Sequence, residues 1–270
     1  IVGIDDRAID LVGQWPWGRD LIADGVLVLS EFGAERVLLD ILFLDDSSPD
    51  LADNALEALQ QSYPDGGIPL AAVEQLVIDR DARLASAIAA SGNVFVLMVV
   101  DERGDELLVR LPLAEFADAA AGIGFPDLPI DPDGVSRRVP PLRRAGGRTW
   151  THYAISATEA RIVAGPDDFD ENGRYLGRSL NLRVAGETIT VPLDPQGNIV
   201  VRWPRGTFAE AYPQVGFAAL LEYQSAMDDL AFNIELMEQA GYIPGRFTSP
   251  LGTWRSSQSA RAELLGEADS

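Results

Sequence analysis

Aspartates stand at the ends of the first two predicted strands of this 270-residue sequence. Asp5 and Asp6 follow the first strand, Asp40 lies inside the second, and Asp45 comes just after it. Adjacent parallel strands place such side chains at the carboxyl edge of a sheet, where ligand crevices form. Close carboxylates can bind Mg²⁺ or Ca²⁺, or act as an acid–base pair. The favoured alternative is structural: Asp5 and Asp6 accept hydrogen bonds from a turn, and Asp40 pairs with an arginine or the backbone.

The least ordinary stretch is residues 13–19, which reads Gly-Gln-Trp-Pro-Trp-Gly-Arg. Pro16 fixes its own φ and favours extended backbone at Trp15, and an extended backbone turns both indoles to one side. One interpretation is a buttress, in which Trp15 and Trp17 close the sheet edge and Arg19 pairs with an acid. The other is the aromatic wall of a ligand pocket, with Arg19 holding an anion. The buttress is favoured, and both interpretations stay open.

Composition removes several kinds of chemistry. The sequence has no cysteine, which excludes thiolate nucleophiles, thiolate metal sites and disulfides. His152 is the single histidine, so this chain alone cannot supply a multi-histidine metal site. All 21 basic residues are arginine, and the lack of lysine excludes P-loop, Schiff-base and kinase-type chemistry. We therefore expect no cofactor and assign no catalytic residue.

Charge limits the partners of the chain. Its net charge is −21, and a polyanionic surface does not attract nucleic acid or anionic lipid as a whole. Residues 137–148 depart from this balance, with five arginines and no acid. A solvated hairpin and loop is the favoured interpretation of that segment. Contact with an anion or a partner is the alternative.

Strands and helices alternate through the first half. Apolar strands are predicted over residues 1–4, 37–43 and 93–100, the second of them buried on both faces. Helices connect them, and the first of these has Asp20 as its N-cap and ends at Gly33. Crossovers of this length bring the chain back in the same direction. The sequence therefore predicts an α/β fold with a mostly parallel central sheet flanked by helices.

The second half changes character. Asp-Pro-x-Gly turns occur at residues 131–134 and 194–197, and alternating segments flank the second of them. These patterns predict a β-hairpin extension. Helices are predicted over residues 150–163 and 216–240.

No linker divides the chain, so we predict a single domain over residues 1–270. It includes an exposed acidic insertion at about 165–178 and a C-terminal tail at about 245–270 that leads toward membrane segments. The longest apolar run, residues 94–100, is too short for a membrane helix. The sequence opens inside an apolar strand, which predicts a piece of a longer protein.

Four segments taken together resemble the CHASE2 family, an extracytoplasmic sensor domain of bacterial transmembrane receptors. They are Ile4-Asp-Asp with Gly13-x-Trp-Pro-Trp-x-Arg19; Leu39-Asp-Ile-Leu-Phe43; Gly124-Phe … Asp131-x-Asp-Gly … Arg137-Arg-Val-Pro140; and Val191-Pro-Leu-Asp-Pro-Gln-Gly … Arg202, followed by Thr207-Phe and Val215-Gly-Phe217. The resemblance covers about residues 1–221. The Trp-Pro-Trp element together with the Asp-Ile-Leu-Phe strand is its most specific part.

This resemblance implies a domain outside the cytoplasmic membrane, between an N-terminal anchor and, commonly, three transmembrane helices. The implied cytoplasmic outputs include adenylate or guanylate cyclases, histidine kinases, Ser/Thr kinases and diguanylate cyclases. The fragment itself is then not an enzyme, and it forms a homodimer within the receptor. The apolar strand that family members place before their membrane helices is not found in this sequence, which predicts an unfilled position in the sheet.

Three functional hypotheses follow. The first is a sensory module for an unknown small molecule or envelope partner, with seven candidate ligand-binding residues: Asp5, Asp6, Trp15, Trp17, Arg19, Asp40 and Asp45. The second is a metal-dependent hydrolase that uses Asp5, Asp6 and Asp40. The third is a structural dimerisation domain.

Overall fold

A computed structural model describes residues 1–47, 50–51, 55–64, 66–74, 76–103, 106–158, 160–162, 168–184 and 186–241. The helices are α1 (Asp6–Val12), α2 (Arg19–Glu31), α3 (Ala55–Ser62), α4 (Leu70–Glu74), α5 (Arg80–Ser91), α6 (Ala114–Ala119), α7 (Tyr153–Ser156), α8 (Phe208–Ala211) and α9 (Phe217–Gln239). The strands are β1 (Val2–Gly3), β2 (Val37–Leu38), β3 (Asp50–Leu51), β4 (Val77–Ile78), β5 (Val94–Leu97), β6 (Val99–Arg103), β7 (Glu106–Arg110), β8 (Gly122–Gly124), β9 (Arg138–Val139), β10 (Leu142–Ala145), β11 (Arg148–Thr151), β12 (Arg161–Ile162), β13 (Ser179–Val184), β14 (Glu187–Pro192), β15 (Ile199–Val200) and β16 (Val215–Gly216).

The predicted α/β class and parallel central sheet are confirmed. The sheet has the order β2-β5-β8, and both of its pairings are parallel. Helix α9 packs against α2, α2 against α5, and α5 against α6, so these helices form a row beside the sheet. Every residue of β5 is buried, because this short apolar strand has a neighbour on each side and the helical layer over it.

The prediction that residues 37–43 form a strand buried on both faces is wrong. Only Val37–Leu38 have strand structure, and Leu38 is exposed. The physical reason is that β2 lies at the edge of the sheet and borders a groove of about 760 Å³. Ile1, Val2 and Ile4 at the start of the chain also line this groove.

The first helices begin at residues that the sequence pattern did not indicate. Asp5 is the N-cap of α1, and its carboxylate accepts a hydrogen bond from the Ala8 amide at 2.9 Å. Helix α2 has Gly18 as its N-cap, so the prediction of Asp20 in that role is wrong. Asp20 instead lies in the first turn of α2, 3.3 Å from the Arg80 guanidinium of α5. An acid in a first turn still interacts favourably with the helix dipole.

The β-hairpin extension of the second half is confirmed. Strand β13 pairs with β14 and β10 with β11, both antiparallel. The predicted helix over residues 150–163 is wrong, because β11 occupies its start and α7 is a single turn. Gly146 and Gly147 both have positive φ and make the turn that brings Trp150 opposite Arg143.

One arginine joins the two Asp-Pro turns. Arg138 donates a hydrogen bond to Asp131 in the first turn and another to Asp194 in the second. Arg137 adds hydrogen bonds to Asp131 and Asp133. Arg138 therefore links the two turns, and Arg137 binds two aspartates of the first turn.

The described part of the acidic insertion, residues 168–178, is not wholly exposed. Tyr175 is buried and packs with Leu142 and Leu180, while the half-buried Phe169 lies against the same cluster. The rest of the insertion and the predicted tail lie outside the described residues. The predicted helix over residues 216–240 is confirmed as α9. No helix in the described ranges is both long and apolar enough to cross a membrane.

His152 makes the stability of this fold depend on pH. Its side chain is 3% exposed, packs against Phe125, and accepts a hydrogen bond from the Ala154 amide. Burial lowers the pKa of His152 to about 4 from its usual 6.5. Between these values the unfolded chain binds a proton that the folded chain does not, so stability falls as the pH decreases from 6.5 toward 4.

We expect the wild type to lose up to about 3 kcal/mol of unfolding free energy across that interval through this group. His152→Asn keeps an acceptor for the Ala154 amide and removes the titration. Urea unfolding at several pH values measures the slope in both proteins. Equal slopes in the two proteins would contradict the assignment to His152.

Candidate functional site

A cleft of about 540 Å³ lies at the carboxyl edge of the parallel sheet. Its lining comes from four places in the chain: the segment between α1 and α2, the first turns of α2, the segment after β2, and the ends of β5 and β8. The lining residues are Trp15, Pro16, Trp17, Arg19, Ile22, Asp40, Ile41, Leu42, Phe43, Leu97 and Pro126. Four of the seven predicted ligand-binding residues therefore meet in one cleft: Trp15, Trp17, Arg19 and Asp40.

Each of the two tryptophans fits a different one of the two interpretations, the buttress and the pocket wall. Their rings pack edge to face with centroids 5.5 Å apart. Trp17 is half-buried, packs on Phe217 at 5.5 Å, and donates its indole N–H to the Gly13 carbonyl. Trp15 is 37% exposed. Trp17 thus has the contacts of a buttress, and Trp15 has the exposure of a pocket wall.

Arg19 points inward, and its charge is already matched. Its guanidinium donates to Asp81 at 2.6 Å and to the backbone carbonyl of Asp45, and its side chain is only 14% exposed. The guanidinium also lies against two neighbouring rings, 5.4 Å from the centroid of Phe43 and 5.3 Å from that of Phe116. These contacts occupy the group that was a candidate to hold an anion.

Asp81 completes this buried pair. Burial raises the pKa of Asp81, but hydrogen bonds from the Ser47 amide and hydroxyl and from Arg19 outweigh it, so the pKa is lowered overall. The sequence pattern gave no sign of this residue, because Arg19 and Asp81 are 62 positions apart. From the sequence alone, an acidic residue in the first turn of a helix is expected to be exposed to solvent.

Asp40 is the acidic residue of the cleft lining. The segment that carries it stays beside β5, since the Leu39 amide donates to the Phe95 carbonyl at 3.0 Å. Asp40 itself is exposed, at the junction of the cleft and the neighbouring apolar groove. Burial raises the pKa of Tyr153 in that groove, and the negative charge of Asp40 raises it further.

The other three predicted residues lie outside the cleft lining. Asp5 caps α1 with its carboxylate against Gly216, and Asp6 is exposed in the first turn of α1. The backbone carbonyl of Asp45 accepts a hydrogen bond from the Arg19 guanidinium. Asp5 therefore makes the hydrogen bond of the structural interpretation.

The proposed metal trio does not form. Within the described ranges, no three His, Asp or Glu side chains stand close enough together to hold a metal ion. Asp5 and Asp6 belong to the start of α1, whereas Asp40 belongs to the cleft. The hydrolase hypothesis based on Asp5, Asp6 and Asp40 therefore lacks its metal site.

Seven further lining residues were not among the predicted ligand-binding residues: Pro16, Ile22, Ile41, Leu42, Phe43, Leu97 and Pro126. Leu97 ends the apolar strand β5, and Pro126 follows β8, so both lie at the carboxyl edge that the aspartates indicated. Ile22 faces the cleft from the first turns of α2. Leu97 lies within the predicted strand over residues 93–100, whereas no sequence pattern indicated Ile22 or Pro126.

Comparisons with known proteins give one match. The family model described as the CHASE2 domain matches residues 1–240. Neither a curated protein nor a solved structure matches the chain.

We predict that Asp81→Asn lowers the free energy of unfolding by about 3 to 5 kcal/mol, because it leaves the Arg19 charge buried without its counter-ion. Urea denaturation measures this loss. Asp101→Asn is the matched control, since its partner Arg110 is 46% exposed at the side chain, and it costs at most about 1 kcal/mol. Similar losses in the two variants would show that the buried Arg19–Asp81 pair contributes no more to stability than an exposed ion pair does.

Proposed function

Because this chain belongs to the CHASE2 family of sensor domains, which occur in signalling proteins, we propose that it is the extracytoplasmic ligand-sensing part of a bacterial transmembrane receptor. CHASE2 is a family of extracellular sensor domains, which supports this placement. The receptor would carry a cytoplasmic output such as a cyclase or a kinase. The fragment itself senses and does not catalyse.

The observation that carries the proposal is Trp15. It presents an aromatic surface in the cleft, while its neighbour Trp17 is held by Phe217 and by the Gly13 carbonyl. A large exposed ring on a rigid support gains contact area on binding at little cost in conformational entropy. The cleft volume of about 540 Å³ is in the range of small-molecule sites.

The same aromatic contacts lead from the cleft to the long helix α9. Phe217 is its first residue and packs directly on Trp17. The Phe217 ring also lies on α2, where a Cβ added to Gly25 would come within 2.5 Å of it. A ligand that favours one position of Trp17 therefore favours one position of α9, which is the differential binding that a sensor requires.

A thermal-shift screen of small metabolites tests the proposal. We expect a cleft ligand to raise the Tm of the wild type with concentration. Trp15→Ala should abolish this shift and leave the ligand-free stability within about 1 kcal/mol, since the ring is exposed. Trp203→Ala, which removes another exposed indole outside the cleft, should leave the shift intact.

Trp17→Ala completes this set. It should lower the free energy of unfolding by about 3 kcal/mol, as truncation of a packed aromatic does. A shift that survives Trp15→Ala would place the ligand elsewhere. If no compound in a broad library raises the Tm, the ligand-sensing role is lost.

A homodimer is the second part of the proposal, and α9 supplies its support. The C-terminal half of this helix exposes apolar side chains: Leu230, Phe232, Leu236 and Met237. Exposed apolar side chains concentrated on one helix favour association with another protein surface. A second copy of α9 presents the same side chains to it.

Sedimentation equilibrium tests the dimer. We expect wild-type protein to dimerise with concentration and Phe232→Glu to remain monomeric, because a charge would be buried in the contact. Phe208→Glu changes an exposed phenylalanine of α8 and should leave dimerisation unchanged. Identical behaviour of wild type and Phe232→Glu would rule out this surface of α9.

A further inference from the structure

The charge that the cleft offers to a ligand follows from two side chains. Among the described residues that line it, Arg19 and Asp40 carry charge. The Arg19 guanidinium is buried, bonded to Asp81 at 2.6 Å, and in contact with the rings of Phe43 and Phe116. Asp40 is exposed. The open charge of the cleft is therefore negative.

The aromatic side chains of the cleft also favour a cation. A π face carries a partial negative charge and attracts a cation that comes within about 6 Å of its centroid. Trp15 is partly exposed in the same cleft that Asp40 lines, and its ring packs with that of Trp17 in a T-shaped arrangement. A cation in the cleft can then meet a carboxylate and an indole ring together. An anion would be repelled by both the carboxylate and the face of the indole ring.

The surroundings of the cleft do not reverse this sign. The net charge of −21 adds a long-range field of the same sign. Such a field raises the local concentration of small cations and lowers that of anions.

We propose that the cleft recognises an organic cation, a molecule with an ammonium group on an apolar frame. Asp40 supplies the counter-charge, and Trp15 supplies a cation–π contact. The apolar frame lies against the hydrophobic lining of Ile41, Leu42 and Leu97. This inference rests on the proposed function, because it assigns the ligand class of the same cleft.

The experiment uses three molecules that share a tertiary-butyl-like head and differ in charge. Choline is the cation, 3,3-dimethylbutan-1-ol is its neutral analogue, and 3,3-dimethylbutanoate is the anion. Isothermal titration calorimetry measures the Kd of each for the full chain. We expect choline to bind at least about tenfold more tightly than the alcohol, the effect of one desolvated cation–π and carboxylate contact, and the anion to bind weakest.

Variants assign the effect to named side chains. Asp40→Asn should reduce choline affinity about tenfold and leave binding of the alcohol unchanged. Trp15→Ala should weaken both molecules, because it removes apolar contact as well. Glu187→Gln removes an exposed negative charge from the distant hairpin strand β14 and should leave all three affinities unchanged, which separates local from long-range charge.

The outcomes separate this inference from the function on which it rests. If the alcohol or the anion binds at least as tightly as choline, and Trp15→Ala abolishes that binding, the sensor cleft stands and the cation inference falls. If Asp40→Asn and Glu187→Gln weaken choline equally, the assignment to Asp40 falls. If none of the three molecules binds and the metabolite screen also gives no shift that depends on Trp15, both the inference and the proposed function fall.

Discussion

The buried ion pair between Arg19 and Asp81 is the constraint on which the rest of the cleft depends. It joins the first turn of α2 to the first turn of α5, and through the Asp45 carbonyl and the Ser47 amide it fixes the segment after β2. A charge withdrawn from water must keep its partner, because the cost of leaving it unpaired exceeds that of most single contacts. The pair therefore determines where these three segments stand relative to one another.

The same pair explains why the chain leaves the sheet after Leu39. Phe43 packs over the Arg19 guanidinium and within 5.2 Å of Phe116, and its carbonyl accepts from the Leu113 amide. These contacts draw residues 40–43 away from regular strand pairing toward α6. The departure opens the carboxyl edge and leaves Asp40 exposed at the mouth of the cleft. A structural ion pair thus sets the charge of a binding surface that it does not itself provide.

Local sequence patterns predicted the helices and strands whose residues all lie in a similar environment. The apolar run of β5, the length of α9 and the antiparallel hairpins all follow from residues close together in the sequence. The predicted helix over residues 150–163 failed because tertiary pairing of β11 with β10 overrides local propensity. At the site, four of the seven candidate residues, Trp15, Trp17, Arg19 and Asp40, line one cleft. The sequence did not indicate the sign of the charge that the cleft presents, because Asp81, the partner of Arg19, is distant in sequence and lies on another helix.

Trp15 and Trp17 show how one short motif can serve stability and binding together. A packed ring such as Trp17 gains free energy from burial, so folding alone accounts for it. An exposed indole beside it, in a chain with a net charge of −21, adds nothing comparable to the core. Trp17 is continuous with Phe217 at the start of α9, so contact with Trp15 acts on a ring that is already part of the helical layer. In the proposed sensor, a ligand that displaces this pair would also displace the start of α9, since a close-packed interior transmits strain.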